Sequence, residues 1–107
     1  MPRINTQNAY ELISELRPFT SNGAISADYD DQGAYVVKSY STAIAVLYPE
    51  EGRAVMNEAR YSATTSKHQG QARIGISRLG YAVTDQDDPA AFEIETGHRA
   101  RVRGANW

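Results

Sequence analysis

The side chains able to do chemistry crowd into twelve residues, Tyr61-Ser62-Ala63-Thr64-Thr65-Ser66-Lys67-His68-Gln69-Gly70-Gln71-Ala72. The hydroxyls of Ser62, Thr64, Thr65 and Ser66 beside the Lys67 ammonium are the groups that hold phosphate or another anion. A helix start adds amides without intrahelical acceptors and the positive end of the helix dipole. Strand termination and helix capping account for the same hydroxyls without any ligand. Ser66 followed three residues on by Gln69 matches a capping box, and Thr65 with His68 is a weaker frame for one.

His68 invites an acid–base reading, since an unperturbed imidazole titrates near about 6.5. Helical spacing puts it with Ala72, Ile76 and Leu79 on an inward face. A core-edge histidine bonded to a strand carbonyl or a tyrosine hydroxyl is therefore favoured over a catalyst. No catalytic residue is assigned. With His68 and His98 the only histidines and no His-Glu-x-x-His spacing, a zinc enzyme has no frame. No serine lies in Gly-x-Ser-x-Gly, and Gly70-Gln71-Ala72-Arg73-Ile74-Gly75 is neither a phosphate loop nor a dinucleotide fingerprint. The pairs Glu50–Glu51 and Asp87–Asp88 fall in turns without an apolar pocket to raise a carboxyl pKa. Asp28, Asp30 and Gly33 lack the EF-hand spacing, so calcium is not expected. The reading carries no metal and no cofactor.

Net charge is −2, but the halves differ: residues 1–52 hold three basic and seven acidic side chains, and residues 53–107 hold eight and six. Between Ala59 and Thr84 the charges are Arg60, Lys67, Arg73 and Arg78, with no carboxylate. A one-signed stretch can focus a field on a polyanion, although such runs more often only solvate a surface. In the tail, Arg99, Arg101 and Arg103 alternate ahead of Trp107, so an extended tail could set guanidiniums on phosphates and stack the indole on a base. The same tail can be a frayed end or a charged edge strand.

The elements that must position these groups fit one α+β domain over residues 1–107, with 1–5 and 97–107 as candidate flexible ends. Ala9, Leu12, Ile13 and Leu16 recur at helical spacing and predict an N-terminal helix over 6–17, with Asn8 and Glu11 as a capping box and Pro18 as its stop. Residues 20–33 read as turn chemistry. Residues 34–41 and 42–48 read as strands joined by a Ser/Thr turn, with Ile44, Val46 and Tyr48 on one face and Ala45 and Leu47 on the other. After Pro49-Glu50-Glu51-Gly52, residues 53–62 should return antiparallel, turning Val55, Ala59 and Tyr61 to the core. A helix over 66–79 ends at Gly80, with Lys67, Arg73 and Arg78 outward. Its Gly70 and Gly75 each cost about 1 kcal/mol against alanine, which close packing must offset. A short strand at 81–84, a loop at 85–89 and a strand at 91–96 follow. The fold expected is an antiparallel meander sheet of three or more strands with both helices on the same face.

Two patches, Ser39-Tyr40-Ser41-Thr42-Ala43-Ile44-Ala45 and Tyr61-Ser62-Ala63-Thr64-Thr65-Ser66-Lys67-His68-Gln69, resemble a family of small uncharacterised proteins of bacteriophages, their actinobacterial hosts and other mobile elements. In that family a Ser-Tyr-x-Thr-x-Ile-Ala strand precedes a Tyr-Ser-x-Thr-Thr-x-x-His junction, and Ser41 and Ala43 stand here where glycine and proline are the pattern. The resemblance implies a phage-like origin and an intracellular role, and it carries no activity.

The absence of cysteine excludes disulfides and thiolate metal sites, and no apolar run approaches the roughly 20 residues that span a bilayer. The expectation is a non-enzymatic, phage-type accessory protein in the host cytoplasm that binds a macromolecule, a host protein ahead of DNA or RNA. A small enzyme using His68 is the remote alternative. The nucleic-acid reading would use Arg60, Thr64, Thr65, Ser66, Lys67, Arg73, Arg78, Arg99, Arg101 and Arg103; Tyr40, Tyr61, His68 and Gln69 are structural or functional candidates. A homodimer through an exposed apolar sheet face is a further expectation, and a protein binder should display a Tyr-rich apolar patch.

Overall fold

The structure, a computed structural model, describes residues 8–21 and 25–100 and the backbone of Arg3–Ile4. Its elements run β1 (Arg3–Ile4), α1 (Ala9–Ser14), β2 (Phe19–Ser21), β3 (Ile25–Tyr29), β4 (Tyr35–Ser39), β5 (Thr42–Tyr48), β6 (Arg53–Asn57), α2 (Ala63–Leu79), β7 (Ala82–Gln86) and α3 (Pro89–Thr96). The strands form one α+β sheet in sequential order, antiparallel from β2 to β6. At each end a helical crossover makes the outer pair parallel, α1 between β1 and β2 and α2 between β6 and β7.

α1 and α2 cover one face. There Ala9, Ile13, Ala72 and Ile76 pack on Phe19, Tyr35, Val37, Leu47, Ala54 and Met56. The other face holds a smaller cluster, Ala34, Val36, Ala43, Val46, Val55, Phe92 and Ala100, closed by α3. Both faces of β5 are therefore buried, which explains its continuous apolar run.

Several boundaries differ from the sequence reading, each for a physical reason. α1 is shorter than 6–17: Asn8 caps it without a side-chain bond, so the Asn8–Glu11 box does not form, and Leu16 leaves it at φ 56 ahead of Pro18. Residues 6 and 7 lie outside the described residues. Residues 19–29 contain two strands, because Ile25 and Ala27 point inward while Ser26 and Asp28 face the uncovered side of the sheet. The β4–β5 link is indeed a two-residue turn, Ser39 pairing with Thr42. Tyr40 takes φ 58 there, a conformation usually left to glycine.

The register then shifts between Val37 and Lys38, so Ile44 and Ala45 both reach the α1/α2 face. That bulge separates Ile44 from Val46, reversing the predicted face for one of the two. β6 stops at Asn57 rather than running to Ser62. Val55 lies in the second cluster, apart from the half-buried Tyr61. Residues 91–96 are helix: Asp88 caps α3 by accepting from the Ala90 amide, Pro89 opens it and Gly97 closes it at φ 75.

Candidate functional site

The start of α2 sorts the hydroxyl cluster into inner and outer groups. Ser62 sits in extended backbone and accepts the Thr65 amide at 3.1 Å, so the cap lies four residues before the predicted one at Ser66. Gln69 does not reach back to a cap. Its Nε2 donates to the carbonyls of Asn57 at 2.7 Å and Ala59 at 3.0 Å, tying α2 to the end of β6. Thr64, Ser66 and Lys67 face outward, while Thr65 turns in with His68.

His68 is 1% exposed. Its Nδ1 shares a 2.6 Å hydrogen bond with the Ser39 hydroxyl, which meets Thr65 Oγ1 at 3.0 Å. A serine from the inward row Tyr35, Val37 and Ser39 of β4 is thus a partner of this imidazole. A serine beside an imidazole resembles an activated nucleophile, but Ser39 is equally buried, and a substrate has no route to either group. Tyr40 lies over the cluster, its ring 6.2 Å from that of His68, and is itself exposed. Replacing Ser39 by alanine removes the hydroxyl that Thr65 and His68 share. A stability loss of about 1–3 kcal/mol in urea denaturation is expected; an unchanged midpoint would show the contact to be idle.

A second network was not visible in the sequence. Buried Asn57 donates from Nδ2 to the Ala43 carbonyl and to the Tyr61 hydroxyl, both at 3.0 Å, and accepts the Ala59 amide. Tyr61 donates to the Ala100 carbonyl at 2.6 Å, and the Ala43 amide donates to the Arg99 carbonyl at 2.8 Å. Residues 97–100, expected as part of a flexible end, are therefore tied to the sheet, and Ala100 is fully buried. Burial raises the Tyr61 hydroxyl pKa, which keeps it a donor.

The described cations lie in different surroundings. Arg73 pairs with Glu58 and with Asp85, the latter at 3.0 Å, and the Arg78 guanidinium lies 4.6 Å above the Tyr10 ring. Arg60, Lys67 and Arg99 are exposed. Arg101 and Arg103 lie outside the described residues.

A model for a family of unknown function, DUF8033, matches residues 11–78, more than half of the chain. This chain belongs to the DUF8033 family. No curated protein and no solved structure matches it. The matched span runs from α1 through most of α2 and contains Ser39, Thr65 and His68, while β7 and α3 follow it. Among the described residues of this DUF8033 protein, no cluster of three or more histidine or carboxylate groups could hold a metal, and no helix is long and apolar enough to cross a membrane.

Two grooves remain. One, of about 260 Å³, lies on the uncovered face of β2 to β4 and is lined by Thr20, Ser26, Asp28, Lys38 and His98. At its rim Asp30 Oδ2 meets His98 Nε2 at 2.8 Å. Burial alone would raise the Asp30 carboxyl, but hydrogen bonds from His98 and from the Ala34 and Gln32 amides outweigh it, and its pKa falls below the ordinary value. A depressed folded-state pKa contributes stability that is present above the unfolded value, near about 4, and lost as pH falls through the lower folded one. Stability measured from pH 6 down to 2 should decline less steeply in Asp30→Asn; parallel curves would show that Asp30 has no part in the decline.

The second groove, of about 360 Å³, opens between the end of α2 and the sheet edge, lined by Met56, Arg73, Ile76, Ser77, Gly80, Tyr81 and Val83. The exposed tyrosines Tyr29 and Tyr40 lie at opposite ends of β4, since Tyr29 pairs with Tyr35 and Tyr40 follows Ser39. They do not make the single Tyr-rich patch expected of a protein binder.

Proposed function

We propose that this DUF8033 protein is a non-enzymatic accessory module, of bacteriophage type and acting in the host cytoplasm, that binds a host protein. The observation that carries the reading is the sheet edge. β7 has no strand on its outer side among the described residues, and all but one of its side chains are exposed. Proteins blunt such edges with proline, lysine or a covering element unless another chain uses them. β7 carries neither proline nor lysine, its one charge, Asp85, is met by Arg73, and a partly apolar groove opens beside it. Sealing of the Ser39–His68 pair speaks against catalysis, and engagement of Arg73 and Arg78 speaks against a phosphate-binding stripe.

Affinity capture from lysate of the native host, run beside heparin and DNA columns over a salt series, separates the readings. A host protein retained at about 0.5 M salt, where exposed charge pairs are largely screened, is expected. DNA retention that falls steeply with salt and weakens in Lys67→Ala and Arg101→Ala would replace the protein partner with nucleic acid.

A further inference from the structure

We infer that the outer edge of β7 and the groove beside it accept an extended segment of a partner protein in which apolar and basic residues alternate. The inference rests on the protein-binding reading and assigns it a surface and a ligand chemistry.

Backbone direction along β7 is fixed by two bonds. The Ala82 amide donates to the Gly52 carbonyl at 3.1 Å, and the Gln86 carbonyl accepts the Glu58 amide at 2.7 Å. Peptide groups alternate along a strand, so those of Ala82, Thr84 and Gln86 serve β6, and those of Val83 and Asp85 point outward. An added strand therefore finds a donor and an acceptor at each of two positions one pleat apart.

The side chains of Val83 and Asp85 lie on the same face as their partners Ala54 and Met56, the α2 side. Every second residue of the added strand would project over that face, where Met56, Ile76, Tyr81 and Val83 form the apolar part of the groove. This selects an apolar residue at alternate positions.

Charge selects the rest. From Leu79 to Gly97 the sequence holds Asp85, Asp87, Asp88, Glu93 and Glu95 and no lysine or arginine. Among the described residues two cations reach this edge: Arg73, met by Glu58 and Asp85, and Arg53, which stands beside Ala82, pairs with Glu51 and also feels the Glu95 charge. Lysine or arginine on the partner therefore meets an excess of carboxylate, while an acidic strand is repelled.

The test titrates isotope-labelled full chain with synthetic peptides of about eight residues, somewhat longer than a common strand. One alternates valine with lysine, one valine with glutamate and one serine with lysine. Binding of the first should shift the amides of residues 82–86 and of the last turns of α2, with the other two at least about tenfold weaker. Val83→Pro removes an outward donor without touching a β6 bond, and Val83→Lys places a charge in the groove; each should weaken the valine–lysine peptide at least about tenfold.

Shifts confined to other strands, or equal binding by all three peptides, overturn the inference. So does a concentration-dependent doubling of mass abolished by Val83→Pro, which would assign the edge to a second copy. Host-protein capture that survives Val83→Lys moves the docking surface elsewhere and leaves the protein-binding reading standing, whereas absence of any captured protein from the unaltered chain removes both.

Discussion

Gly75→Ala should destabilise the protein by about 2 kcal/mol, even though alanine is the better helix former by roughly 1 kcal/mol. A Cβ built at Gly75 would lie 2.6 Å from Ile13 Cγ2, 2.7 Å from Ile13 Cβ and 3.1 Å from the Tyr10 carbonyl oxygen. The first atom can rotate away; the second is fixed to the backbone of α1, so the helices must separate. Close approach of α1 and α2 thus offsets the cost of this glycine. Gly70 has no atom within 4 Å of the same construction, and Gly70→Ala should stabilise by roughly 0.5–1 kcal/mol. Chemical denaturation of both variants reads the two signs. Ile13→Ala should cost less in the Gly75→Ala background than alone, because the two sites touch. A Gly75→Ala variant as stable as the parent would show the helix contact to be slack.

Phe92→Ala should cost about 3–5 kcal/mol, the range for truncating a fully buried aromatic ring. Phe92 is the one buried residue of α3, an eight-residue helix too short to persist alone. Its ring fills the cluster of Ala34, Val36, Ala43, Val46, Val55 and Ala100, which are too small to close over the space. Amide exchange should show α3 and residues 97–100 losing protection first, while α2 keeps its own. Ile94→Ala, at a position 87% exposed, should fall within about 0.5 kcal/mol of the parent. A Phe92→Ala cost below 1 kcal/mol would mean that α3 is not anchored there.

The contrast of Phe92 with Ile94 also shows where sequence reasoning runs out. Alternation through Ala91-Phe92-Glu93-Ile94 suits a strand with both apolar residues on one side, yet one is buried and the other bare. The helix was legible in Asp88, Pro89 and Gly97, cap signals that outweigh a weak alternation over six residues. Likewise β3 was hidden by Asp28, which looks like a turn former but lies on the uncovered face of the sheet. β4 and β5 were readable from their runs of apolar, β-branched and aromatic residues, and the body of α2 from the inward spacing of His68, Ala72 and Ile76 ahead of Gly80. The bulge at Ile44 was not, since an extra residue in one strand leaves no compositional mark.

At the junction, the inward placement of His68 followed from helical spacing, and so did the outward cations. The identity of its partner Ser39 did not, because it depends on which β4 residue faces α2 once the hairpin is paired. The Asn57–Tyr61–Ala100 ties were equally hidden, since they join segments far apart in the chain.

The sequential strand order has a kinetic consequence. From β2 to β6 each strand pairs with its immediate predecessor through a short connection, so loop-closure entropy stays small until the helical crossovers must be docked. Chain collapse should therefore nucleate at the central β4–β5 hairpin and reach β7 last. In stopped-flow experiments Val46→Ala should slow refolding, while Val83→Ala should leave the refolding rate nearly unchanged. The reverse ranking would place the nucleus at the crossover.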